Sequence, residues 1–196
     1  SYDPIDEDQV AAVAAGDSAY TGAYMNRFLS STYTPGSIFK VVTAAAALEQ
    51  LDTDSFTYTC TGSVEIGGGE VTCPSVHGEL DFASALANSC NGAFATLALE
   101  LGGDTLEQYV REAGLLDSVE VSGYTSAAGS FDVAGEGTLE LGWSGVGQYN
   151  DLVNSAAVLT LMGCIAGDGS AATPRLLSRV TSQNGLPAAL ISQPNS

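Results

Sequence analysis

The chain has 196 residues, of which 23 are acidic and 5 are basic, so its formal net charge at pH 7 is −18. This length can bury a sizeable core, whereas the negative charge and the lack of a basic patch argue against nucleic acids and anionic membrane surfaces as partners. No apolar run approaches the roughly 20 residues of a membrane span, and the first residues do not resemble a signal peptide, so we expect any membrane anchor to lie outside this chain.

The elements predicted along the chain are mostly helices. Residues 1–34 are polar apart from a short helix over 10–15, and the apolar residues 36–51 predict a long buried helix. Further helices are predicted over 82–87 with Asp81 as the cap, over 93–101, from Asp104 to about 113, and over 151–166. Residues 117–149 are rich in glycine and serine and predict a long ordered loop. Residues 170–196 contain several prolines and predict one or two strands and a frayed end. No repeat or composition shift marks a domain boundary.

The four cysteines are Cys60, Cys73, Cys90 and Cys164. Cys60 and Cys73 bracket two short strands around a glycine turn, so we predict a disulfide between them and an oxidising, extracytoplasmic location. A zinc site built from Cys60, Cys73, His77 and a fourth ligand is the alternative. It is disfavoured because the chain has no close Cys-x-x-Cys pair and Cys90 stands in a different context. Unrelated reduced thiols are a third alternative, and we expect no metal and no cofactor.

The only lysine, Lys40, follows Ser37 by three positions at the start of the long apolar helix. Residues at i and i+3 share a helix face, so the Ser37 hydroxyl and the Lys40 amine can come within hydrogen-bond reach. Burial lowers the pKa of a lysine, and a helix N-terminus favours negative charge on the serine. The pair therefore predicts a serine nucleophile with a lysine general base. The alternatives are a chance spacing and a lysine that extends from the helix end to solvent.

A buried lysine needs hydrogen-bond partners, and the segment Ser89-Cys90-Asn91 offers a hydroxyl and an amide between two predicted helices. A second Ser-x-Asn copy, Ser182-Gln183-Asn184, lies in the tail that is rich in glycine and proline. We favour the first copy because its flanking helices would hold it rigidly.

These segments resemble the active-site motifs of penicillin-binding protein transpeptidases, members of the serine β-lactamase and penicillin-binding superfamily. Residues 33–40, Tyr-Thr-Pro-Gly-Ser-Ile-Phe-Lys, look like the Ser-x-x-Lys segment, and residues 89–91 resemble the Ser-x-Asn motif. Residues 1–4, 77–80 and 145–175 resemble further parts of the same domain, so the likeness spans nearly the whole chain. The resemblance implies an α+β fold of the penicillin-binding type.

The resemblance also implies a reaction and a role for each motif residue. The expected function is a D,D-transpeptidase or carboxypeptidase that acts on peptidoglycan stem peptides ending in D-Ala-D-Ala, with β-lactam antibiotics acylating the same serine. Ser37 would be the nucleophile and Lys40 its base. Ser89 would relay a proton to the leaving amine, and Asn91 would bind both the substrate amide and Lys40. The expected location is the extracytoplasmic, cell-wall side of the bacterial membrane, and the membrane would be contacted only through an anchor outside this chain.

One departure from the family pattern concerns its third motif, Lys-Thr-Gly or Lys-Ser-Gly on a strand beside the site. A chain whose only lysine is Lys40 contains neither, and a His-Thr-Gly variant is also absent. We therefore expect residues 1–196 to be the central, mainly helical part of a single transpeptidase domain that lacks most of the five-stranded sheet and is weak or inactive alone. A non-catalytic β-lactam-binding or sensor module and a serine β-lactamase of the same fold are the alternatives. A structural role is expected for His77.

Overall fold

The computed structural model describes residues 2–133 and 137–176. The helices in this part of the chain are α1 (Glu7–Ala14), α2 (Arg27–Ser30), α3 (Lys40–Gln50), α4 (Phe82–Ala87), α5 (Asn91–Leu101), α6 (Gly103–Glu112), α7 (Thr138–Ser144) and α8 (Ser155–Ala166). The strands are β1 (Thr32–Tyr33), β2 (Thr57–Cys60), β3 (Ser63–Ile66), β4 (Gly69–Thr72), β5 (Gly78–Asp81), β6 (Glu120–Val121), β7 (Tyr124–Thr125) and β8 (Val153–Asn154). Short 3-10 turns lie at Ser18–Tyr20 and Gly36–Phe39. None of the described helices has both the length and the apolar character needed to cross a bilayer.

The strands pair only as two-stranded antiparallel ladders within the described residues. The pairs are β1 with β8, β2 with β5, β3 with β4, and β6 with β7. The fold is thus α+β with a dominant helical part and few short strands, as the sequence predicts.

Helix α5 lies at the centre of the main core and is packed by α3, α6 and α7. Its buried residues are Gly92, Ala93, Phe94, Ala95, Leu97, Ala98 and Leu101. The small residues among them allow close approach, because a side chain at Gly145 would collide with Ala98. In a second cluster Phe39 stacks on Phe131 with the ring centroids 5.6 Å apart. The residue before Lys40 is therefore fixed in the core, which holds the start of α3 in place.

Several predicted elements are confirmed. The helix predicted over 36–51 forms as the 3-10 turn Gly36–Phe39 followed directly by α3. The Asp81 carboxylate accepts a hydrogen bond of 2.7 Å from the backbone N–H of Ser84 and caps α4. The residues between Cys60 and Cys73 form β3 and β4 around a turn at 67–68.

Other boundaries differ from the predictions. Helix α1 begins at Glu7 because Asp6 caps it, and α6 begins at Gly103, so Asp104 lies inside its first turn. Helix α8 begins only at Ser155, where the Asn154 side chain caps it after strand β8. The sequence could not separate these caps from neighbouring polar residues of similar type.

The predicted loop over 117–149 contains two short strands and helix α7. Helix α7 was missed because its seven residues are too few to show a periodicity and include Gly142. That glycine packs against α5, since a side chain there would touch Ala95. Tertiary packing therefore selects this helix. The strands and frayed end predicted for the tail fall mainly on residues 177–196, which lie outside the described residues.

Candidate active site

Ser37 lies exposed in the 3-10 turn, while Lys40, at the start of α3, is only 1% exposed. The Lys40 Nζ lies 3.1 Å from the Ser37 Oγ. The two side chains share one face, as the i, i+3 spacing predicts. The alternative of a lysine that extends to solvent is wrong.

A neighbouring loop braces this turn. The Gly36 N–H donates a 2.8 Å hydrogen bond to the carbonyl of Gly147, and the Thr43 Oγ1 donates one of 2.8 Å to the carbonyl of Gly145. Gly147 has a φ of +81°, and a side chain there would collide with the Gly36 carbonyl. These glycines have no individual role predicted from the sequence. A glycine pair before Gln148 was the only available signal.

The Lys40 amine is surrounded by uncharged oxygen atoms. Besides Ser37, it donates to the Ser89 carbonyl at 2.7 Å, to the Ser89 Oγ at 2.9 Å and to the Asn91 Oδ1 at 2.7 Å. Burial lowers the pKa of Lys40 to about 8, although the nearby Cys73 and Cys90 act in the opposite direction. A neutral fraction of the amine therefore exists near neutral pH, and only the neutral amine can accept a proton from Ser37.

Ser89 occupies a backbone conformation that usually requires glycine. Its φ is +52°, and it lies just after the end of α4. The N–H of Ser89 donates to the Leu86 carbonyl, and the N–H of Cys90 donates to the Ala85 carbonyl. This is the Schellman pattern of a helix C-terminus, in which the left-handed residue is commonly glycine. A serine here carries a conformational cost of about 1–2 kcal/mol. The benefit visible in the structure is its contact with Lys40.

Asn91 begins α5 and connects the lysine to a strand end. Its Oδ1 accepts from Lys40, and its Nδ2 donates a 2.7 Å hydrogen bond to the carbonyl of Thr72 at the end of β4. An amide has two N–H donors, so one Nδ2 hydrogen remains for another acceptor. The amide orientation is thus fixed from two sides.

The structure brings the four predicted site residues, Ser37, Lys40, Ser89 and Asn91, into one cluster around a single amine. The second Ser-x-Asn copy, at residues 182–184, lies outside the described residues. The cluster is formed by the first turn of α3 and by the junction of α4 and α5.

The predicted disulfide between Cys60 and Cys73 is wrong, because all four cysteines are free thiols. Cys73 Sγ lies 3.8 Å from the sulfur of Cys90, the residue between Ser89 and Asn91. The ligand atoms of Cys60, Cys73, His77 and Cys90 all lie within 4.8 Å of one another, so the chain has a group of side chains that could hold a metal. Cys90 is not among the zinc ligands named from the sequence, because it lies in a different segment.

The family model for the penicillin-binding protein transpeptidase domain matches residues 1–195. The chain belongs to this family. Among the curated relatives of this chain, the peptidoglycan D,D-transpeptidase PbpA of Mycolicibacterium smegmatis is 34% identical over 162 residues, which cover 78% of this chain and 32% of the relative. The stage V sporulation protein D of Bacillus subtilis is 34% identical over 114 residues, which cover 55% of this chain and 16% of the relative. The chain spans about a third of the length of PbpA.

The solved structures similar to this chain include the imipenem acyl-enzyme complex of penicillin-binding protein A from Mycobacterium tuberculosis. It is 26% identical with a TM-score of 0.77, and the match covers 95% of this chain and 44% of that one. Another similar structure is the D,D-transpeptidase domain of a peptidoglycan glycosyltransferase from Eggerthella lenta. It is 24% identical with a TM-score of 0.75, and the match covers 93% of this chain and 49% of the Eggerthella chain. The latter likeness supports the fold alone.

Proposed function

We propose that this transpeptidase-family chain carries a serine acyl-enzyme centre that acts on peptidoglycan stem peptides ending in D-Ala-D-Ala. The observation that carries the proposal is a buried amine, Lys40 Nζ, 3.1 Å from an exposed hydroxyl, Ser37 Oγ, with only uncharged oxygens as its further hydrogen-bond partners. No carboxylate is among these four partners to hold the amine in its charged form.

In the proposed acylation step, neutral Lys40 takes the proton from Ser37 as the Oγ attacks the carbonyl carbon of the D-Ala-D-Ala peptide bond. A tetrahedral oxyanion forms, for which the backbone N–H of Ser37 is one proposed donor. The bond to the terminal D-Ala nitrogen then breaks, and the nitrogen receives the proton from Lys40. We propose Ser89 as the relay for that proton, which its Oγ supports by lying 2.9 Å from the Lys40 Nζ.

In the second step an amine of another stem peptide attacks the carbonyl carbon of the Ser37 ester and loses its proton to the basic groups of the site. The bond from this carbon to the Ser37 Oγ then breaks, the Oγ takes a proton back from those groups, and the cross-linked peptide is released. Attack by water instead would release a shortened peptide, which is the carboxypeptidase outcome. The free Nδ2 hydrogen of Asn91 is proposed to bind the substrate amide carbonyl, while its Oδ1 holds Lys40.

The second oxyanion donor and the cation that binds the substrate carboxylate are expected on a Lys-Thr-Gly strand, which this sequence does not contain. A single oxyanion-hole donor contributes about 10²–10³ in rate. We therefore expect the 196-residue chain to be acylated slowly or not at all by itself, and we expect efficient acylation only in a full-length protein that supplies the strand.

The proposed partners follow from the relatives. PbpA is named a peptidoglycan D,D-transpeptidase, and the M. tuberculosis protein forms an acyl-enzyme with imipenem. We propose peptidoglycan stem peptides and β-lactam antibiotics as the partners of this chain and the extracytoplasmic, cell-wall side of the membrane as its location. Any membrane contact would come from an anchor outside these residues.

Labelling of the full-length protein with a fluorescent penicillin tests the nucleophile. The expected result is a covalent adduct that peptide mapping places on Ser37 and that Ser37→Ala abolishes. Ser55→Ala is the matched control, because Ser55 is exposed and bonds only locally to Asp52. Labelling that survives Ser37→Ala would refute the assignment.

Two further assays separate this function from its alternatives. A stable adduct without any turnover of a stem peptide would favour a β-lactam-binding sensor. Rapid hydrolysis of a chromogenic cephalosporin would favour a β-lactamase.

A further inference from the structure

The structure assigns a zinc site to Cys60, Cys73, His77 and Cys90. Their ligand atoms all lie within 4.8 Å of one another. They come from four places in the fold: the end of β2, the residue after β4, the residue before β5, and the N-cap of α5. We propose that one Zn²⁺ ion joins these four segments and thereby fixes the junction that carries Ser89 and Asn91.

The distances fit a tetrahedral ion better than a disulfide. Zinc–sulfur bonds of about 2.3 Å in a tetrahedron place two sulfurs about 3.8 Å apart. Cys73 Sγ and Cys90 Sγ are separated by 3.8 Å. A disulfide would need a sulfur–sulfur distance of about 2.05 Å, so forming one would require this pair to move together. An ion at the centre requires the widest pair of ligand atoms, at most 4.8 Å apart, to approach by about 1 Å.

The donor set selects the metal. Three thiols and one imidazole form a Cys₃His set, which is common in structural zinc sites and contains none of the oxygen ligands that magnesium or calcium prefers. The His77 Nδ1 is buried and has no hydrogen-bond partner in the described part of the chain. A metal ion in the cluster would give this imidazole a partner and fix the ring. On binding, the ion displaces the three thiol protons, which pass to the solvent.

A backbone amide supports one of the sulfurs from outside the cluster. The Gly92 N–H donates to the Cys73 Sγ at 3.5 Å. Such donors stabilise the negative charge of coordinated thiolates and orient them.

The cluster adjoins the proposed catalytic residues through the chain itself. Cys90 lies between Ser89, which has a left-handed backbone, and Asn91, and both contact Lys40. Cys73 follows Thr72, whose carbonyl accepts from Asn91. The ion would thus hold both segments that orient Asn91. This positioning role rests on the proposed function, whereas the metal site itself does not.

The first experiment measures metal in the full-length protein by elemental mass spectrometry after dialysis. We expect one zinc per chain. Replacement by Co²⁺ should give the intense visible bands of a tetrahedral site and a sulfur-to-cobalt charge-transfer band. Cys73→Ser and His77→Ala should lose the metal. Cys164→Ser should keep it, because Cys164 lies in α8, outside the cluster.

The contradicting results are equally definite. Protein without stoichiometric zinc that gives no tetrahedral cobalt spectrum would overturn the site, as would stoichiometric iron or a disulfide joining two of the cluster cysteines. If the cluster variants do not fold, the cobalt titration of the unaltered protein decides the question alone.

The second experiment tests the positioning role. Removal of zinc with a chelator should lower the rate of labelling by fluorescent penicillin about tenfold, and added zinc should restore it. If zinc binds but its removal leaves the labelling rate unchanged, the positioning role is wrong and the site stands. If the zinc-loaded protein is not labelled at Ser37 at all, the proposed function fails and the metal site still stands.

Discussion

The junction at Ser89–Asn91 adjoins two groups of side chains that the fold assembles in different ways. The first pair, Ser37 and Lys40, comes from one helical turn, and its geometry follows from the i, i+3 spacing. The second, the cysteine and histidine cluster, comes from four separate elements. A site made within one helix turn can be predicted from local spacing, whereas a site made by tertiary contacts cannot.

The largest expected effect is on the local pair. Lys40→Met keeps the length of the side chain but removes the proposed base, so we expect acylation by a fluorescent penicillin to fall by about 10³. Arg111→Met is the matched control, since it removes an exposed cation that pairs with Glu107 at 2.9 Å. Its acylation rate should be unchanged. A Lys40→Met protein that melts normally and keeps at least a tenth of the rate would show that the amine is not the base.

A pair of substitutions at Ser89 separates its chemistry from its backbone strain. Both Ser89→Gly and Ser89→Ala remove the hydroxyl and should lower acylation by about 10². Glycine also relieves the strain of the left-handed backbone. The free energy of unfolding of the Ala variant should therefore be about 1 kcal/mol lower than that of the Gly variant. Thermal denaturation and labelling rates measured on both variants check this. Equal stabilities, or a Gly variant with full activity, would contradict the two roles.

A smaller effect, a shift in the pH dependence of acylation, is expected when a negative charge is introduced at Asn91. Asn91→Asp places a carboxylate against Lys40, and an opposite charge raises the pKa of a lysine. In the unaltered protein the acylation rate should rise with pH through about 8, because the neutral amine is the proposed active form and burial lowers the pKa of Lys40 to about 8. In the Asp variant this rise should move about one pH unit higher. A pH profile that does not move, or moves lower, would contradict Lys40 as its source.

Ser37 and Lys40 could be predicted from the sequence because the signals that mark them are local. Ser37 and Lys40 follow from spacing and from the apolar helix, and Asp81 is a regular N-cap. Ser89 and Asn91 came from the favoured copy of a short motif together with the family resemblance. The structure places both against Lys40.

The sequence failed where tertiary contacts decide. Cys60 and Cys73 bracket a hairpin that does form, yet their sulfurs are not bonded, and Cys90 approaches from the start of another helix. Helix α7 forms although its sequence contains glycine, because Gly142 packs closely on α5. Neither contact leaves a periodic or spaced pattern in the chain.

The most direct test of the central claim measures the protonation of Lys40 itself. Since Lys40 is the only lysine in this sequence, selective isotope labelling of lysine in the 196-residue chain gives a single side-chain NMR signal, whose shift can be followed against pH. We predict a midpoint near 8, the value to which burial lowers the pKa of Lys40. A midpoint above about 10, the range of an exposed lysine, would contradict a buried amine that serves as the base of Ser37.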